Sequence, residues 1–288
     1  MTRVAVVGDA LLDVVVRPTT PIRPGADVPA EISIRPGGQG ANLAVRLARQ
    51  GIETVLVCAL GDDAAATILR EALAADSVEL APVPVDATGS VVILLDDAGE
   101  RTMLSRRAPF AAAAAARVPP DADWTVVSGY LLLEADAATL AKSLARPDGR
   151  RVLVGCAVPA EVGEWLSAAG ALAPDITVLN RQEATALGAA PGFVGGGLVV
   201  TEATGAVATL GAVRAETRAV AGEAPVDTTG AGDAFAAALV ASLSRAPWPP
   251  SADELERALE AAADRGAAVA RTPGAQGRID AETAPLRR

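Results

Sequence analysis

The segment Asp227-Thr228-Thr229-Gly230-Ala231-Gly232-Asp233 holds the residue types best suited to chemistry, and it runs directly into an apolar stretch from Ala234 to Leu243. Gly230 and Gly232 let the backbone turn its N–H groups into a tight concavity, and the apolar run reads as a helix whose positive N-terminal end faces that concavity. Such a turn is an anion site. A phosphate there would gain from oriented amides and from the helix dipole, with Asp233 placed to reach a hydroxyl beside it. This is phosphoryl-transfer geometry. The same residues also read as a glycine-capped helix start with a surface aspartate, so the remainder of the chain has to decide between the two.

Composition narrows the chemistry. The 288 residues include no histidine, two cysteines (Cys58 and Cys156) and one lysine, Lys142. A Ser-His-Asp or Cys-His arrangement is excluded, a zinc site rich in His or Cys cannot be assembled, and a Schiff base would depend on that single lysine. Carboxylates, hydroxyls, arginines and backbone remain, which suits phosphoryl transfer, where positioning and electrostatics do most of the catalysis. A net charge of −10 with 2% aromatic residues argues against a nucleic-acid partner. The start, Met1-Thr2-Arg3, runs straight into a short strand and a glycine rather than a secretion signal. No apolar run is both long enough and free of glycine or charge to span a membrane, so a cytoplasmic location is expected. Both cysteines lie in apolar, strand-like runs and read as buried thiols.

The elements that must hold such a site alternate between Val-rich and Ala-rich stretches, as a mostly parallel sheet covered on both faces requires. Strands are expected at Arg3 to Val7, Thr54 to Leu60, Thr125 to Ser128, Val152 to Gly155, Ile176 to Leu179 and Leu198 to Thr201. Helices are expected at Gly40 to Gln50, Asp63 to Ala75, Glu134 to Leu144, Glu161 to Ala169 and Arg181 to Leu187. Two stretches break the rhythm. Val14 to Arg35 holds four prolines and two short extended runs, and Ser90 to Ser105 reads as a hairpin turning at Asp96-Asp97-Ala98-Gly99. The expected organisation is an α/β core domain of residues 1–13, 37–89 and 106–288, doubly wound around a mostly parallel sheet, with a small β lid of residues 14–36 and 90–105. Unpaired strand edges and an apolar lid face favour a homodimer through the lid.

Candidate binding residues bracket the first excursion. Asp13 follows the first strand, at the carboxyl edge where open α/β sheets bind ligands. Gly37, Gly38 and Gly40 permit close backbone approach just before a helix whose first turn carries Asn42, a donor and an acceptor together. Carboxylate and amide make a good hydroxyl-binding pair, although Asp13 also reads as a turn cap and Asn42 as a helix N-terminal residue.

Taken together, these segments resemble the ribokinase-like (PfkB) carbohydrate kinase family from the first strand to Gln276. Its N-terminal signature is similar to Gly37 to Asn42 continuing through Gly51, its Asn-x-x-Glu motif to Asn180-Arg181-Gln182-Glu183, and its C-terminal signature to Asp227 to Asp233. Gly61-Asp62-Asp63 also fits. The resemblance implies a doubly wound ribokinase-like core with a β lid, and an ATP-dependent transfer to a hydroxymethyl group of a small, ribose- or fructose-like sugar. It implies Asp233 as general base and Gly230, Ala231 and Gly232 as the anion hole. Asp13, Gly38 and Asn42 would hold sugar hydroxyls, and Asn180, Thr201, Gly205 and Thr229 would meet the nucleotide. Glu183 would hold Mg²⁺ through water, and Asp227 with Gly274-Ala275-Gln276 would offer a site for a monovalent cation such as K⁺.

Departures from the family pattern are also present. Val200 to Gly205 is shorter than the usual nucleotide loop and lacks its first glycine, Gln39 replaces a lysine common in ribokinases, and Cys156-Ala157 stands where an acidic residue or Asn is usual. Arg278 occupies a place where a small hydroxyl residue is expected. Neither lid excursion contains an aromatic residue to stack a nucleobase, which favours a free sugar over a nucleoside. The alternatives are a nucleoside kinase of the same family and a non-catalytic sugar- or nucleotide-binding regulator on the same fold, against which the intact Asp233 and Glu183 argue.

Overall fold

The computed structural model of the chain describes residues 2–96, 101–134, 136–144, 149–156, 161–203, 205–218, 228–272 and 274–276. The first half holds β1 (Arg3–Val7), β2 (Leu11–Pro18), β3 (Ala30–Gly37), β4 (Glu53–Val57), β5 (Ala59–Leu60), β6 (Glu79–Leu80), β7 (Val83–Pro84), β8 (Ser90–Leu95) and β9 (Arg101–Arg106). The second holds β10 (Trp124–Ser128), β11 (Arg150–Val154), β12 (Ile176–Asn180), β13 (Gly197–Glu202), β14 (Gly205–Leu210) and β15 (Val213–Arg218). The helices are α1 (Gln39–Ala48), α2 (Ala64–Ala75), α3 (Ala111–Ala114), α4 (Ala137–Leu144), α5 (Val162–Leu172), α6 (Arg181–Ala186), α7 (Ala231–Leu243) and α8 (Ala252–Ala270).

Nine strands form one sheet in the order β15-β14-β13-β12-β11-β10-β1-β4-β6, parallel from β6 to β13 and closed by the antiparallel pair β14 and β15. Alternate residues of β1 feed opposite faces. Val4 and Val6 join the core layer containing Leu43, Leu47 and Leu239, whereas Ala5 and Val7 join the layer containing Leu140, Trp165 and Leu172. Burial on both faces explains why these strands read as continuous Val-rich runs rather than alternating ones. The chain winds from β1 to β4 and β6 on one side, then returns to place β10 on the other, so the strand order reverses between β1 and β10. In open α/β sheets a ligand crevice lies at that reversal, beyond the carboxyl ends of the strands.

Glycines allow the close packing there. A Cβ on Gly40, in the first turn of α1, would lie 2.5 Å from the carbonyl carbon of Gly8, so α1 starts directly against the end of β1. Helix α7 is buried almost all round, from Ala234 to Ala241, and packs on both α1 and α8. A helix apolar on every side belongs in an interior, which carries its N-terminus into the molecule.

A separate four-stranded sheet, ordered β3-β2-β8-β9, comes from the two stretches without helical period. Its register places Val14, Ile34, Val92 and Leu104 in one cross-strand row and Val16, Ile32 and Leu94 in the next, all on one face. That face is open: Ile32 is 65% and Leu104 58% exposed. On the opposite face Leu11, Val91 and Ile93 are buried with Val15 and Leu95 against them.

Several elements differ from the sequence reading. The run from Thr54 to Leu60 is split, β4 ending at Val57 and β5 restarting at Ala59 to pair with β7. The helix expected from Glu134 begins at Ala137, because Glu134 caps a 3₁₀ turn over Gly129–Leu133 and its carboxylate is committed elsewhere. The strands β14 and β15, together with the nineteen-residue α8, extend the fold beyond the expected elements.

Candidate active site

The carboxyl ends of β11, β12 and β13, the turn after β10 and the N-termini of α1, α6 and α7 converge on one cleft. It has a volume of about 170 Å³ and is lined by Gln39, Tyr130, Cys156, Asn180, Glu183, Thr201, Gly232 and Asp233. Asp233 stands in the first turn of α7, whose N-cap Gly230 has φ 75° and no side-chain cap. The Ala231 N–H donates to the Thr228 carbonyl at 3.3 Å, and a helix start of this kind carries leading N–H groups without intrahelical partners, which suit an anion.

Asn42 ties α1 to that turn. Its Nδ2 donates to Asp233 Oδ2 at 2.8 Å, while its Oδ1 accepts from Gln276 Nε2 at 3.0 Å. Burial pushes the Asp233 carboxyl up to about 6; hydrogen bonds from Asn42 and Gln39 and the charge of Arg46 oppose the rise, and the charge of Glu183 adds to it. A general base working near neutrality needs such a value. Gln39 donates through Nε2 to the Gly155 carbonyl at 2.7 Å and accepts from Ser128 Oγ at 2.6 Å, so it joins α1 to the ends of β10 and β11.

Glu183 and Asn180 form a capping box at the start of α6: Asn180 Oδ1 accepts from Glu183 N–H at 2.8 Å, and Glu183 Oε2 accepts from Asn180 N–H at 2.8 Å. Burial raises the Glu183 carboxyl above its ordinary value, opposed only by that backbone bond, and no cationic side chain among the described residues pairs with it. Gly155 leaves room for the side chain, since a Cβ there would lie 2.4 Å from Glu183 Oε2. A half-buried carboxylate without a cation, in a cleft shared with Asp233, fits a divalent ion that keeps its waters and takes few protein ligands. No group of three or more His, Cys, Asp or Glu side chains among the described residues forms a closed metal cage.

Asp13 lies on β2, paired across the strands with Arg35 of β3. Its carboxyl is pushed up to about 6 by burial, with Arg35 opposing, and it has no hydrogen-bond partner among the described residues. Gly37 is required beside it, because a Cβ there would meet Asp13 Oδ2 at 2.2 Å. Gly38, at φ 93°, is the N-cap of α1, and a Cβ on it would lie 2.6 Å from the Asp9 carbonyl. Thr201 lines the cleft at the end of β13, and Thr229 lies in the turn before α7. Gly205 instead opens β14 in a different groove, with Glu216 and Arg218. Asp227 and Arg278 lie outside the described residues, and the Ala275 carbonyl already accepts from Arg46 Nη2 at 2.6 Å.

A second cavity adjoins the cleft at Tyr130; sequence reasoning left open whether Tyr130 or Glu134 meets substrate and missed the pairing of Asp9 with Arg107 there. Asp9 and Arg107 form an ion pair there, the Arg107 guanidinium lies 3.9 Å from the Tyr130 ring centroid, and Glu134 Oε2 accepts from the amides of Phe110 and Ala111. Asp9 lies four positions before the marked Asp13 in the same strand-end segment, but its partner is 98 residues away and no local spacing connects them.

Comparison with known proteins agrees with the fold. The pfkB family carbohydrate kinase model matches residues 1–282. A fructokinase from Salmonella typhimurium is 30% identical over 272 residues, covering 83% of this chain and 87% of that protein. The fold is shared with a ribokinase from Thermotoga maritima (TM-score 0.80, 22% identity, 98% and 97% of the two chains). It is shared also with a fructokinase from Xylella fastidiosa with bound ATP (TM-score 0.77, 20% identity, 95% and 94%). The chain belongs to the pfkB family of carbohydrate kinases and has the ribokinase-like fold. It is therefore an ATP-dependent carbohydrate kinase. Among the described residues no helix is long and apolar enough to cross a membrane.

The carboxyl of Asp233 predicts a stability signature. Its folded value of about 6 exceeds the ordinary 3.8, so folding favours the protonated form; the site's stability contribution is full below about pH 4 and is lost as pH rises through 6. Asp233→Asn, neutral and of equal size, should therefore be more stable than the parent at pH 8, by about 1–3 kcal/mol, and indistinguishable near pH 4. Urea denaturation at the two pH values checks this, and a variant less stable at pH 8 would contradict a desolvated carboxylate at this position.

Proposed function

We propose that the chain transfers the γ-phosphoryl group of ATP to a hydroxymethyl oxygen of a small sugar of ribose or fructose type. The observation that carries the reading is a single carboxylate, Asp233, at the uncapped N-terminus of a buried helix in a cleft that also holds Glu183. In this reading the acceptor hydroxyl gives its proton to Asp233 as its oxygen bonds to the γ-phosphorus and the bridge to the β-phosphate breaks. The amides of Gly230, Ala231 and Gly232 take up charge on the transferred group; one such preorganised donor is worth roughly a hundred- to a thousand-fold in rate. Asn42 keeps Asp233 aimed, and Asp13 with the Gly38 backbone receives sugar hydroxyls. Asn180, Thr201 and Thr229 face the nucleotide side. Mg²⁺, held through water by Glu183, would neutralise charge on the ATP phosphates.

A sugar is favoured over a nucleoside because Arg107 covers one face of Tyr130 and neither lid excursion contains an aromatic residue to stack a nucleobase. The Salmonella relative is named a fructokinase, and the Xylella structure binds ATP, in line with the same donor and acceptor class. With ATP as donor the reaction belongs in the cytoplasm. Residues 14–36 and 90–105 serve as a lid that closes over the sugar and excludes water. Its outer apolar face, with Ile32, Ile34 and Leu104 each more than half exposed, pairs with the lid of a second copy.

Three measurements check this reading. Release of ADP should accelerate with D-fructose or D-ribose and not with adenosine; acceleration by adenosine alone would transfer the activity to nucleosides, and by none of a full sugar panel would overturn it. Asp13→Ala should raise KM for the responding sugar by roughly 10- to 100-fold, the loss of a charge-assisted hydrogen bond, with KM for ATP unchanged. An equal loss for both ligands would make Asp13 a folding residue. Sedimentation velocity should show a dimer that Ile32→Lys with Ile34→Lys converts to monomer; a parent that sediments as a monomer removes the lid-to-lid contact.

A further inference from the structure

Helix α1 carries a polar stripe that its burial does not call for. Leu43, Val45 and Leu47 are core residues, yet Asn42, Arg46 and Arg49 recur at i, i+4 and i+7 along the helix and its C-cap and so share one face. Arg46 is 2% exposed and among the largest fully buried side chains of the molecule. Removing a guanidinium from water is costly, and an apolar residue of similar volume would fill the same space with less penalty.

All three side chains of the stripe grip one short segment. Arg46 Nη2 donates to the Ala275 carbonyl at 2.6 Å, Arg49 Nη1 donates to the next carbonyl, Gln276, at 2.9 Å, and Asn42 Oδ1 accepts from Gln276 Nε2 at 3.0 Å. Arg49 is itself anchored by two bonds to Asp76, at 2.8 and 2.9 Å. Ala275 in turn is pressed against the turn before α7: a Cβ on Gly230 would lie 2.7 Å from Ala275 Cβ. The segment is thus wedged between α1 and the Gly230 turn, and Asn42 continues the chain of contacts to Asp233.

We propose that Arg46, assisted by Arg49, is a positioning residue for phosphoryl transfer: it clamps Ala275-Gln276 against the Gly230 turn and thereby holds the leading amides of α7 and Asp233 in register with each other. The proposal rests on the reading of Asp233 as base for its catalytic meaning, but the clamp is a property of the folded chain. Arg46 touches neither substrate nor reacting atoms. It acts through Ala275, and it adds a fixed positive charge that favours the ionised Asp233. A misplacement of reacting groups by about 1 Å costs on the order of a hundred-fold in rate, so a loosened turn should show in turnover before it shows in binding.

Arg46→Met, Arg46→Lys and Arg49→Met test the clamp by two readouts. Hydrogen–deuterium exchange followed by mass spectrometry should show faster exchange in peptides covering 228–234 and 274–276 for Arg46→Met, less for Arg46→Lys and Arg49→Met, with the β1 and β10 peptides unchanged. With ATP and D-fructose, or D-ribose if that is the sugar which responds, kcat should fall by about 10- to 100-fold in Arg46→Met and partly recover in Arg46→Lys, with KM for ATP within about twofold of the parent. Unchanged exchange at 228–234 in folded Arg46→Met would overturn the clamp whether or not any sugar is phosphorylated. Should Arg46→Met fail to fold, unchanged exchange there in both Arg46→Lys and Arg49→Met would do the same. Loosened exchange with parental kcat would reduce Arg46 to a structural residue, whereas a parent inert toward every sugar would refute the proposed reaction and leave the exchange result standing.

Discussion

Asp233 is a carboxylate at the mouth of a helix that is apolar on every side, and most of the site is arranged around the cost of placing it there. Desolvation raises its proton affinity to a value useful near neutrality, while Asn42, Gln39, Arg46 and the positive end of α7 keep the ionised form accessible. Each of these groups comes from a segment that must itself be held. Asn42, Gln39 and Arg46 all belong to α1, and α1 can reach Asp233 only because Gly40 lies directly against Gly8 at the end of β1. The reversal of strand order between β1 and β10 then opens the crevice into which that carboxylate points.

Two carboxylates with raised proton affinity in one small cleft sit in environments suited to different work. Asp233 is hydrogen-bonded by a side-chain amide and stands beside helix amides that attract a phosphoryl group, so its environment suits proton acceptance next to a developing anion. Glu183 is locked by its capping box with Asn180 and lacks a cationic partner among the described residues, which suits a hydrated divalent ion instead. The composition left little else available: without histidine and with one lysine, acid–base work and charge compensation fall to carboxylates, arginines and backbone. Arginine accordingly appears both beneath Asp233, as Arg46, and in the adjoining cavity, as Arg107 over Tyr130.

Much of this was legible in the sequence where local spacing carries it. The Gly230-Ala231-Gly232 turn before an unbroken apolar run marked α7, the stretch from Arg181 to Leu187 read as the helix that follows β12, and the alternation of Val-rich with Ala-rich stretches marked the parallel sheet. The lid was visible as stretches lacking helical period. Contacts that bridge long separations were not visible. Asp9 with Arg107, and Arg46 with Ala275, join residues 98 and 229 positions apart, and nothing in either neighbourhood specifies the other. Hairpin β14 and β15 was missed although its signal is local: Leu210-Gly211-Ala212-Val213 places a two-residue turn between alternating runs, and Gly211 takes φ 58° as such a turn requires. Glu134 read as the start of a helix because its type favours one, but its carboxylate is drawn to the amides at the start of α3, a tertiary preference that outweighs propensity.

The role of Asp233 as base is tested most directly by single-turnover phosphorylation with Asp233→Asn, using the sugar that the parent accepts and a sample shown to be folded. The amide keeps the size and hydrogen-bonding shape of the carboxylate but takes no proton at neutral pH, so the rate of the chemical step should fall by about two to four orders of magnitude while ATP and sugar still bind. Phosphorylation by folded Asp233→Asn at a rate near that of the parent would contradict proton acceptance at Asp233 and leave the turn before α7 with anion binding alone.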